Sequence, residues 1–392
     1  MSRLGRRAAL IVLDGVGIGP APDTDAYGDT GSDTLGNVAR AVGGLSLPAL
    51  ERLGLGWCGN LDGVARVDRP EAAHGVALPQ GAGKDSITGH WELCGVVLET
   101  PFRTWPAGFD ARLTDELARR TGRGILGNRP ASGTAILDEL APAHLATGDW
   151  ILYTSADSVC QIAAHEARVP LAELYRACEV MRELLVGADA TARVIARPFT
   201  GEAGHWQRTP RRRDFSLAPP ADTLLDRLAS AGSPRLGIGK VDDLFAHRGI
   251  TSTHPAGNPE AYVMIGEALR TVPDGLIFAN VIEFDQTWGH RNDVPGYVQG
   301  LQSLDAALPA LLAPVREGDL VIITADHGND PTTPSTDHSR ERVPVLALGP
   351  QVLPAPLGTL ATFADVGQTL AEFFGVPPLA AGRSFLDEVW RG

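Results

Sequence analysis

The sequence predicts an α/β protein with a central, mostly parallel sheet and a smaller inserted domain. Uninterrupted apolar runs such as Leu320–Ile323 are typical of strands that are covered on both faces. Three of these runs lead into an aspartate, and the carboxyl ends of parallel strands open onto the ligand crevice of such sheets. Over residues 101–218 the predicted strands and helices are short and separated by prolines. We predict that these residues form the insertion and that residues 1–100 and 219–392 form the larger domain.

Length and composition limit the functions that are open to the chain. Its 392 residues, 44% hydrophobic and 21% charged, suit two domains or one large domain with an insertion. The formal net charge of -13 argues against a general binder of nucleic acid or membrane surfaces. The four cysteines form no C-x-x-C pair and indicate ordinary thiols of a reducing compartment. We expect a cytoplasmic protein with no nucleic-acid or membrane partner, and a monomer, although the sequence leaves the oligomeric state open.

The first predicted strand, Ala8–Leu13, delivers Asp14 into a glycine-rich turn. The glycines could form a flexible loop or a dinucleotide fingerprint, but no strand–glycine–helix unit with a downstream acid is present, so the fingerprint fails. Helical patterns then run from Thr34 to about Val42 and over Pro48–Leu53, where a glycine ends the second helix.

Ser86 follows two glycines and a lysine and starts a predicted helix. A serine at such a position most often caps the helix. The same amides and helix dipole, with Lys84 beside them, favour negative charge on an oxygen or a phosphate. The segment is not a P-loop, because the spacing G-x-x-x-x-G-K-[ST] is absent. Both interpretations of Ser86 stay open at this point.

Prolines punctuate the short strands and helices of the predicted insertion. We predict a strand over Trp150–Thr154, a helix over Leu171–Val186 and a strand over Ala192–Arg197. Four arginines between residues 208 and 213 concentrate positive charge in an acidic chain. Such a run is usually a solvated loop, although guanidinium groups also match the geometry of phosphate.

The larger domain resumes with a helix over Thr223–Ala231 and a strand that ends near Lys240. A solvated surface explains this lysine as well as a site at the sheet edge does. The apolar run Gly275–Asp285 predicts one strand that ends in carboxylates. A strand over Val343–Leu348 and a helix over Asp365–Phe374 complete the prediction.

Six polar residues follow the apolar strands or lie in their loops. They are three carboxylates and three imidazoles: Asp14, Asp285, His290, Asp326, His327 and His338. This mixture suits manganese, zinc or iron better than calcium or magnesium alone, and the lack of cysteine argues against structural zinc. Six ligands suit two ions about 3.5–4 Å apart, as used in phosphoryl transfer. Each residue taken alone could be a turn aspartate or a core histidine.

The charge of this set also favours two ions. Two divalent cations bring +4 and three carboxylates bring -3, so one alkoxide or phosphate oxygen between the cations would nearly neutralise the site. The Ser86 hydroxyl is our candidate for that oxygen. A serine hydroxyl is a weak nucleophile at neutral pH, and metal coordination is one way to activate it.

Several strings along the chain are longer and more specific than a single short motif. The short motifs are Asp14-Gly, Ser86-x-x-Gly-His90, Asp285-x-x-x-Gly-His290, Ala-Asp326-His327-Gly-Asn and His338. The longer strings occupy residues 83–92, 153–158, 161–166, 196–199 and 239–243. In these strings the sequence resembles the phosphopentomutase family of the alkaline phosphatase superfamily.

The resemblance implies an alkaline-phosphatase-like three-layer core that binds two manganese ions, with an α/β cap inserted at residues 101–218. It implies that ribose 1-phosphate and 2-deoxyribose 1-phosphate are converted to their 5-phosphates through a phosphorylated Ser86 and a pentose bisphosphate. A sugar bisphosphate would act as the primer. One ion would be held by Asp14, Asp326 and His327, and the other by Asp285, His290 and His338. The implied substrate-binding residues are Ser155, Asp157, Arg197, Arg208, Arg212 and Lys240.

The chain departs from the family pattern at two places. The family usually has threonine at the position of Ser86, and because serine keeps the hydroxyl we expect the chemistry to be retained. The arginine run differs from the usual Arg-Thr-x-Asn-Arg-His-Asp, and only Arg208 and Arg212 stand at the matching arginine positions.

Three other functions compete with the mutase interpretation. A metal-dependent phosphomonoesterase would use the same residues to deliver water to a phosphoserine. Another phosphosugar mutase, such as a phosphoglycerate mutase, is less favoured because the long strings are not its own. A non-catalytic protein that binds metal or phosphosugar is disfavoured because the ligand set is accompanied by a hydroxyl nucleophile.

Overall fold

The computed structural model describes residues 5–155 and 158–391, which divide into two compact units. The first unit consists of residues 1–100 with 219–392, and the second of residues 101–218. An eight-stranded sheet organises the first unit and a six-stranded sheet the second. Within the described residues, no helix combines the length and apolar character needed to cross a membrane.

The regular elements follow one another in three stretches. The first unit begins with β1 (Arg7–Leu13), α1 (Thr34–Ala41), α2 (Pro48–Leu53), α3 (Leu55–Cys58), β2 (Ala73–Ala77) and α4 (Ser86–Leu93). The second unit contains α5 (Ala111–Thr121), β3 (Ile125–Pro130), α6 (Gly133–Thr147), β4 (Trp150–Thr154), β5 (Val159–His165), α7 (Leu171–Leu184), β6 (Arg193–Thr200), β7 (Gln207–Arg208) and β8 (Arg213–Ser216). The first unit resumes with α8 (Leu224–Ser230), β9 (Arg235–Ile238), α9 (Val241–Leu244), β10 (Ser252–Thr253), α10 (Asn258–Thr271), β11 (Gly275–Val281), α11 (Val294–Leu312), β12 (Asp319–Thr324), β13 (Val343–Leu348), β14 (Pro356–Leu360), α12 (Ala364–Phe374) and α13 (Leu386–Val389).

The sheet of the first unit has the strand order β10-β9-β11-β1-β12-β13-β2-β14. Its first five strands pair in parallel, and only β13 runs antiparallel to both of its neighbours. Every residue of β1, β11 and β12 is buried, because helices must cover both faces of such a sheet. The predicted α/β fold with a mostly parallel central sheet is therefore confirmed.

Helices of the first unit pack in two groups. Helix α11 contacts α1, α2 and α10, whereas α12 contacts α4 and α8, and α4 contacts α9. Hydrogen bonds also join α11 to the start of α2. The carboxylate of Asp305 in α11 accepts from the Ala49 and Leu50 amides of α2 at 3.1 and 2.8 Å. These contacts hold the helices against a sheet whose apolar strands could not otherwise be covered.

The sheet of the second unit has the order β3-β4-β5-β6-β7, and β8 also pairs with β6. Apolar side chains alternate between its two faces, as the period of two in a strand requires. One face of β4 contributes Leu152 to a cluster with α5 and α7. The other face contributes Ile151 and Tyr153 to a cluster with α6.

Most predicted strands and helices occur where the sequence placed them, but the run Gly275–Asp285 is not one strand. Strand β11 ends at Val281, and Asp285 lies in a π-helical turn over Phe284–Trp288. Where the chain leaves the sheet, the Glu283 amide donates to Asn258 Oδ1 at 3.1 Å, so this amide is satisfied without a neighbouring strand. The prediction of a continuous strand to Asp285 was therefore wrong.

Candidate active site

Three adjacent parallel strands deliver the predicted carboxylates to one edge of the sheet. Asp14 follows β1 directly, and Asp326 stands two residues beyond β12. Strand β1 lies between β11 and β12, with Leu13 paired to Val281 and Val12 paired to Thr324. Because these strands end level, the residues that follow them meet, as expected of the carboxyl edge of a parallel sheet.

The structure brings all six predicted metal ligands together. His327 Nε2 lies 3.3 Å from Asp14 Oδ1 and 3.4 Å from Asp326 Oδ2. Asp285 carboxylate oxygens lie 3.2 Å from His290 Nε2 and 3.5 Å from His338 Nε2. Among these six residues, two trios have donor atoms within 4.8 Å of one another: Asp14, Asp326 and His327, and Asp285, His327 and His338. The first trio equals one of the sets that the resemblance implies. The second contains His327 in the place expected for His290.

Each of the three histidines turns one nitrogen towards the carboxylates and the other towards an oxygen acceptor. His290 Nδ1 lies 2.6 Å from the Thr336 carbonyl, and His327 Nδ1 lies 3.0 Å from the Gly328 carbonyl. His338 Nδ1 lies 3.3 Å from the carboxylate of Asp337. A carbonyl can only accept, so it places the proton on Nδ1 and leaves the Nε2 lone pair for a cation. Metal-binding histidines in proteins are oriented in this way.

One carboxylate oxygen of the site lacks a hydrogen-bond donor. Asp326 is almost fully buried, and its Oδ1 accepts from the Gly15 amide at 3.1 Å. Its Oδ2 lies 3.0 Å from His90 Nδ1, but that nitrogen bonds to the Ser86 carbonyl and Oδ2 makes no hydrogen bond among the described residues. A buried carboxylate oxygen that receives no hydrogen bond is costly. The orphaned oxygen, the lone pairs of the imidazoles and the mixed donor set all fit divalent cations.

The ionisation of the site in the absence of a cation follows from these contacts. Burial disfavours the charged imidazolium of His327, but the charge of Asp326 and the hydrogen bond to Asp14 outweigh it and raise the pKa of His327 well above its ordinary value. In the same way burial lowers the pKa of His290, but its contacts with Asp285 raise it to about 9. Burial would raise the pKa of Asp14 and Asp285, but the imidazoles hold both pKa values below their usual range.

Ser86 lies against this cluster. Its hydroxyl is 3.1 Å from Asp14 Oδ1 and 3.1 Å from His327 Nε2. The residue is the first of helix α4, and the cap is Asp85, whose side chain accepts from the amides of Ile87 and Thr88. The interpretation of Ser86 as the helix cap is therefore wrong, because the neighbouring aspartate already satisfies the first amides.

Lys84 does not direct a free charge at Ser86. Its ammonium lies 2.8 Å from Asp29 Oδ1 and 3.2 Å from Asp337 Oδ2. Asp337 is also the carboxylate beside His338. The lysine therefore connects the loop before Ser86 with the loop that carries a candidate metal ligand.

The predicted substrate-binding arginines of the second unit differ in their partners. Arg212 is bound by Asp214 through two hydrogen bonds of 2.6 Å. Arg197 is half-buried on β6, and its Nε donates to Gln161 Oε1 at 3.1 Å. Burial, reinforced by the charges of Arg212 and Arg208, lowers the pKa of Arg197 to about 10. Guanidinium groups that crowd together in this way favour the arrival of an anion.

Arg208 is exposed on β7 and forms no ion pair within the described residues. Its guanidinium lies at the start of helix α6, where a Cβ atom on Gly133 would come within 1.9 Å of Nη2 and 2.9 Å of the Tyr153 hydroxyl. The absence of a side chain on Gly133 leaves this space to the two polar groups.

Three further predicted residues have different outcomes. Lys240 contacts the side chain of Gln286, the neighbour of Asp285 in sequence. Ser155 follows β4 and is half-buried. Asp157 lies outside the described residues.

Sequence reasoning missed two buried amides beside the carboxylates. Asn329 Nδ2 donates to Asp285 Oδ1 at 2.7 Å, and Asn280 Nδ2 donates to Asp14 Oδ2 at 2.9 Å. Both orient ligand candidates. The available signal was the position of Asn280, a polar residue inside the apolar strand β11.

Comparisons with known proteins show the fold and the family that the chain resembles. The family model described as "Metalloenzyme superfamily" matches residues 243–378, which include five of the six ligand candidates. A Pyrococcus horikoshii protein of known structure shares the fold, with a TM-score of 0.52, 16% identity and coverage of 95% of this chain and 98% of its own.

Two curated relatives extend over nearly the whole chain. The phosphopentomutase of Dictyoglomus thermophilum is 51% identical over 389 residues, which are 99% of each chain. That of Thermotoga maritima is 50% identical over 388 residues, covering 98% of this chain and 100% of its own. Such identity over the full length confirms the resemblance found in the sequence motifs. The chain belongs to the phosphopentomutase family of metal-dependent mutases.

Proposed function

We propose that this protein interconverts pentose 1-phosphates and pentose 5-phosphates by phosphoryl transfer through Ser86. The observation that carries the proposal is the position of the Ser86 hydroxyl, 3.1 Å from both Asp14 Oδ1 and His327 Nε2. The hydroxyl donates to the carboxylate of Asp14, which is an acceptor for its proton, and it lies beside the His327 nitrogen that would bind a cation. Its oxygen is thereby prepared to act as a nucleophile and later as a leaving group.

We propose that two divalent cations, manganese in the cell, are held by the six ligand candidates. Asp14, Asp326 and His327 would hold one, and Asp285, His290 and His338 the other. When bound, such ions stabilise the negative charge that develops on the oxygens of the transferring phosphoryl group. Three carboxylates would repel an anionic substrate, so the site needs cations to compensate their negative charge.

The reaction consists of two phosphoryl transfers. In the first, the bond between phosphorus and Ser86 Oγ breaks, a bond from phosphorus to the free 5-hydroxyl of a pentose 1-phosphate forms, and the hydroxyl proton passes to Oγ. The product is the pentose 1,5-bisphosphate. In the second step the 1-phosphoryl group moves to Oγ, and the serine proton passes to the sugar oxygen that is released. The enzyme regains its phosphoserine, and pentose 5-phosphate leaves.

We assign recognition of the substrate to Ser155, Asp157, Lys240 and the arginines of the second unit. Arg197 and Arg208 are the best supported of these, because neither has a carboxylate partner among the described residues. Arg212 is less available because Asp214 already holds it. The ribose and 2-deoxyribose phosphates are the proposed substrates, and a sugar bisphosphate is the proposed primer that loads Ser86. We place the reaction in the cytoplasm, where the four buried cysteines would stay reduced.

The proposal is tested by following labelled phosphate. The protein is incubated with manganese and pentose 1,5-bisphosphate that carries ³²P, and Ser86 is examined by mass spectrometry. Unlabelled ribose 1-phosphate is then added. We expect phosphate on Ser86 and its recovery in sugar phosphate. Release of the label as free phosphate would instead identify a phosphomonoesterase, and no labelling or turnover at all would favour a binding protein.

A further inference from the structure

Ser86 belongs to a closed ring of hydrogen bonds. Its hydroxyl donates to Asp14 Oδ1 at 3.1 Å, and Asp14 Oδ2 accepts from Asn280 Nδ2 at 2.9 Å. The same amide nitrogen lies 3.0 Å from His90 Nε2, and His90 Nδ1 lies 2.9 Å from the Ser86 carbonyl. The ring of hydrogen bonds therefore begins at the Ser86 hydroxyl and closes at the Ser86 backbone carbonyl.

The acceptors at the two ends fix every proton of the ring. An ionised Asp14 can only accept, so the amide nitrogen of Asn280, and not its oxygen, must face it. The second hydrogen of that nitrogen points at His90 Nε2, which must then be the acceptor. The imidazole proton is left on Nδ1, where the Ser86 carbonyl accepts it. This assignment satisfies all four contacts, whereas the other tautomer of His90 places two donors against each other.

Both side chains are out of contact with solvent. The exposed fraction is 0% for His90 and 1% for Asn280. The imidazole stacks on Phe278 with ring centroids 5.8 Å apart. Asn280 occupies a central strand, in register with Val12 of β1, where an apolar β-branched residue would pack well. Its Oδ1 is buried without a hydrogen-bond partner among the described residues. The side-chain contacts of Asn280 are therefore those of its amide nitrogen, with Asp14 and His90.

We propose that Asn280 and His90 are positioning residues that hold the Ser86 hydroxyl against Asp14. This proposal rests on the proposed role of Ser86 as the phosphoryl acceptor. The imidazole anchors the first turn of α4 through the Ser86 carbonyl, and the amide anchors the carboxylate that accepts from the hydroxyl. Neither residue touches the transferring group; together they keep the nucleophile and one ligand candidate in a fixed relation.

The test separates position from packing with two pairs of variants. Asn280→Leu removes both amide donors at similar volume. Thr369→Val is its control, because Thr369 is equally buried and hydrogen-bonded to the Asp365 carbonyl and the Phe385 amide, outside the ring. His90→Asn keeps a donor at the place of Nδ1, whereas His90→Gln places its amide at Nε2. The readouts are the rate of Ser86 phosphorylation by pentose bisphosphate at saturating manganese, kcat and KM separately, and bound metal.

We expect Asn280→Leu to lower the phosphorylation rate and kcat about a hundredfold, the effect of a misplacement of about 1 Å. Its KM and its metal content at saturation should stay near those of the unchanged protein, and Thr369→Val should keep its rate. His90→Asn should retain more activity than His90→Gln. A role in filling space alone predicts the reverse for the histidine pair, because glutamine is closer in size.

A second measurement is independent of activity. Nitrogen–proton correlation spectra of the full-length protein, with diamagnetic magnesium in place of manganese, report which ring nitrogen of His90 carries the proton. We expect Nδ1, and a shift of this signal in Asn280→Leu. A proton on Nε2, or an Asn280→Leu variant that is phosphorylated at the full rate, would overturn the proposal. If the unchanged protein accepts no phosphate on Ser86, the proposed function fails, while the spectrum still decides whether the ring exists.

Discussion

The two units hold their charged groups in opposite ways. In the first unit, Asp14, Asp326 and His327 are buried and lie in contact with one another. In the second, Arg208 is exposed and pairs with no carboxylate within the described residues. Groups that are fixed before the substrate arrives suit the stabilisation of a transition state. Groups without internal partners suit the binding of a ligand. We therefore expect changes in the first unit to act mainly on kcat and changes in the second mainly on KM.

The largest effect is expected for Ser86→Ala. Removal of the hydroxyl abolishes the covalent step, so mutase activity should fall by at least about 10⁴-fold, the scale seen when a nucleophile is deleted. Ser86→Thr is the matched control, because it keeps a hydroxyl at the same position and should remain active. Activity is measured by the conversion of ribose 1-phosphate to ribose 5-phosphate, and phosphate on residue 86 by mass spectrometry. A fully active Ser86→Ala protein would exclude the phosphoserine.

The next effect compares two buried aspartates of the first unit. Asp326 has an oxygen without a donor, whereas both oxygens of Asp305 accept amides of α2. Asp326→Asn should weaken manganese binding by more than about 100-fold, beyond the loss typical of residues outside the ligand shell. It should destabilise the metal-free protein less than Asp305→Asn does, because the replaced oxygen makes no hydrogen bond among the described residues and His327 keeps the carboxylate of Asp14. Titration calorimetry and thermal unfolding in EDTA measure the two quantities.

Asp305→Asn provides the control for this comparison. It should lower the free energy of unfolding by about 1–3 kcal/mol with or without manganese, because one helix amide loses its acceptor, and leave the metal affinity unchanged. If both aspartate variants destabilised the metal-free protein to the same degree, Asp326 would be an ordinary structural carboxylate.

A smaller effect should distinguish the arginines of the second unit. Arg208→Ala should raise KM for ribose 1-phosphate about 10- to 100-fold with little change in kcat, because one charge-assisted hydrogen bond to a ligand contributes about 1.5–3 kcal/mol. Arg211→Ala should change KM much less, because Arg211 is bound to Glu166. Arg212, which Asp214 holds, should lie between them. Equal effects of all three substitutions would mean that charge alone, without position, governs binding.

The sequence predicted where β1 and β12 end, but not the contacts between distant residues. Apolar runs locate β1 and β12, because buried parallel strands have few alternatives. Asp14, Asp326 and His327 could be named because their chemistry is distinctive. The ring through Asn280 and His90 could not, since it joins residues 190 positions apart. The π-helical turn that carries Asp285 was not predicted either; it begins beside a tertiary contact, the hydrogen bond from the Glu283 amide to Asn258.

The smallest expected effect is a dependence on pH. The stability of the metal-free protein should fall as the pH rises, whereas the affinity for manganese should rise. In the metal-free protein the contacts with Asp285 raise the pKa of His290 to about 9, although burial opposes them; in the unfolded chain it is about 6.5. The stabilisation from the protonated ring is complete below about pH 6.5 and is lost as the pH rises through about 9. A cation needs the neutral ring, so manganese affinity should rise over the same interval, by up to about tenfold per pH unit for each proton released.

Thermal unfolding between pH 6.5 and 9 tests both signs of this dependence. In EDTA the Tm should fall as the pH rises, whereas the increase in Tm caused by a fixed concentration of manganese should grow. His290→Asn should flatten both curves, and the exposed His205, changed to Asn, should leave them unaltered. Because the pKa of His327 is raised as well, some pH dependence of metal binding should survive in His290→Asn. A manganese affinity that does not change with pH would mean that neither imidazole loses a proton to solvent when the cation binds.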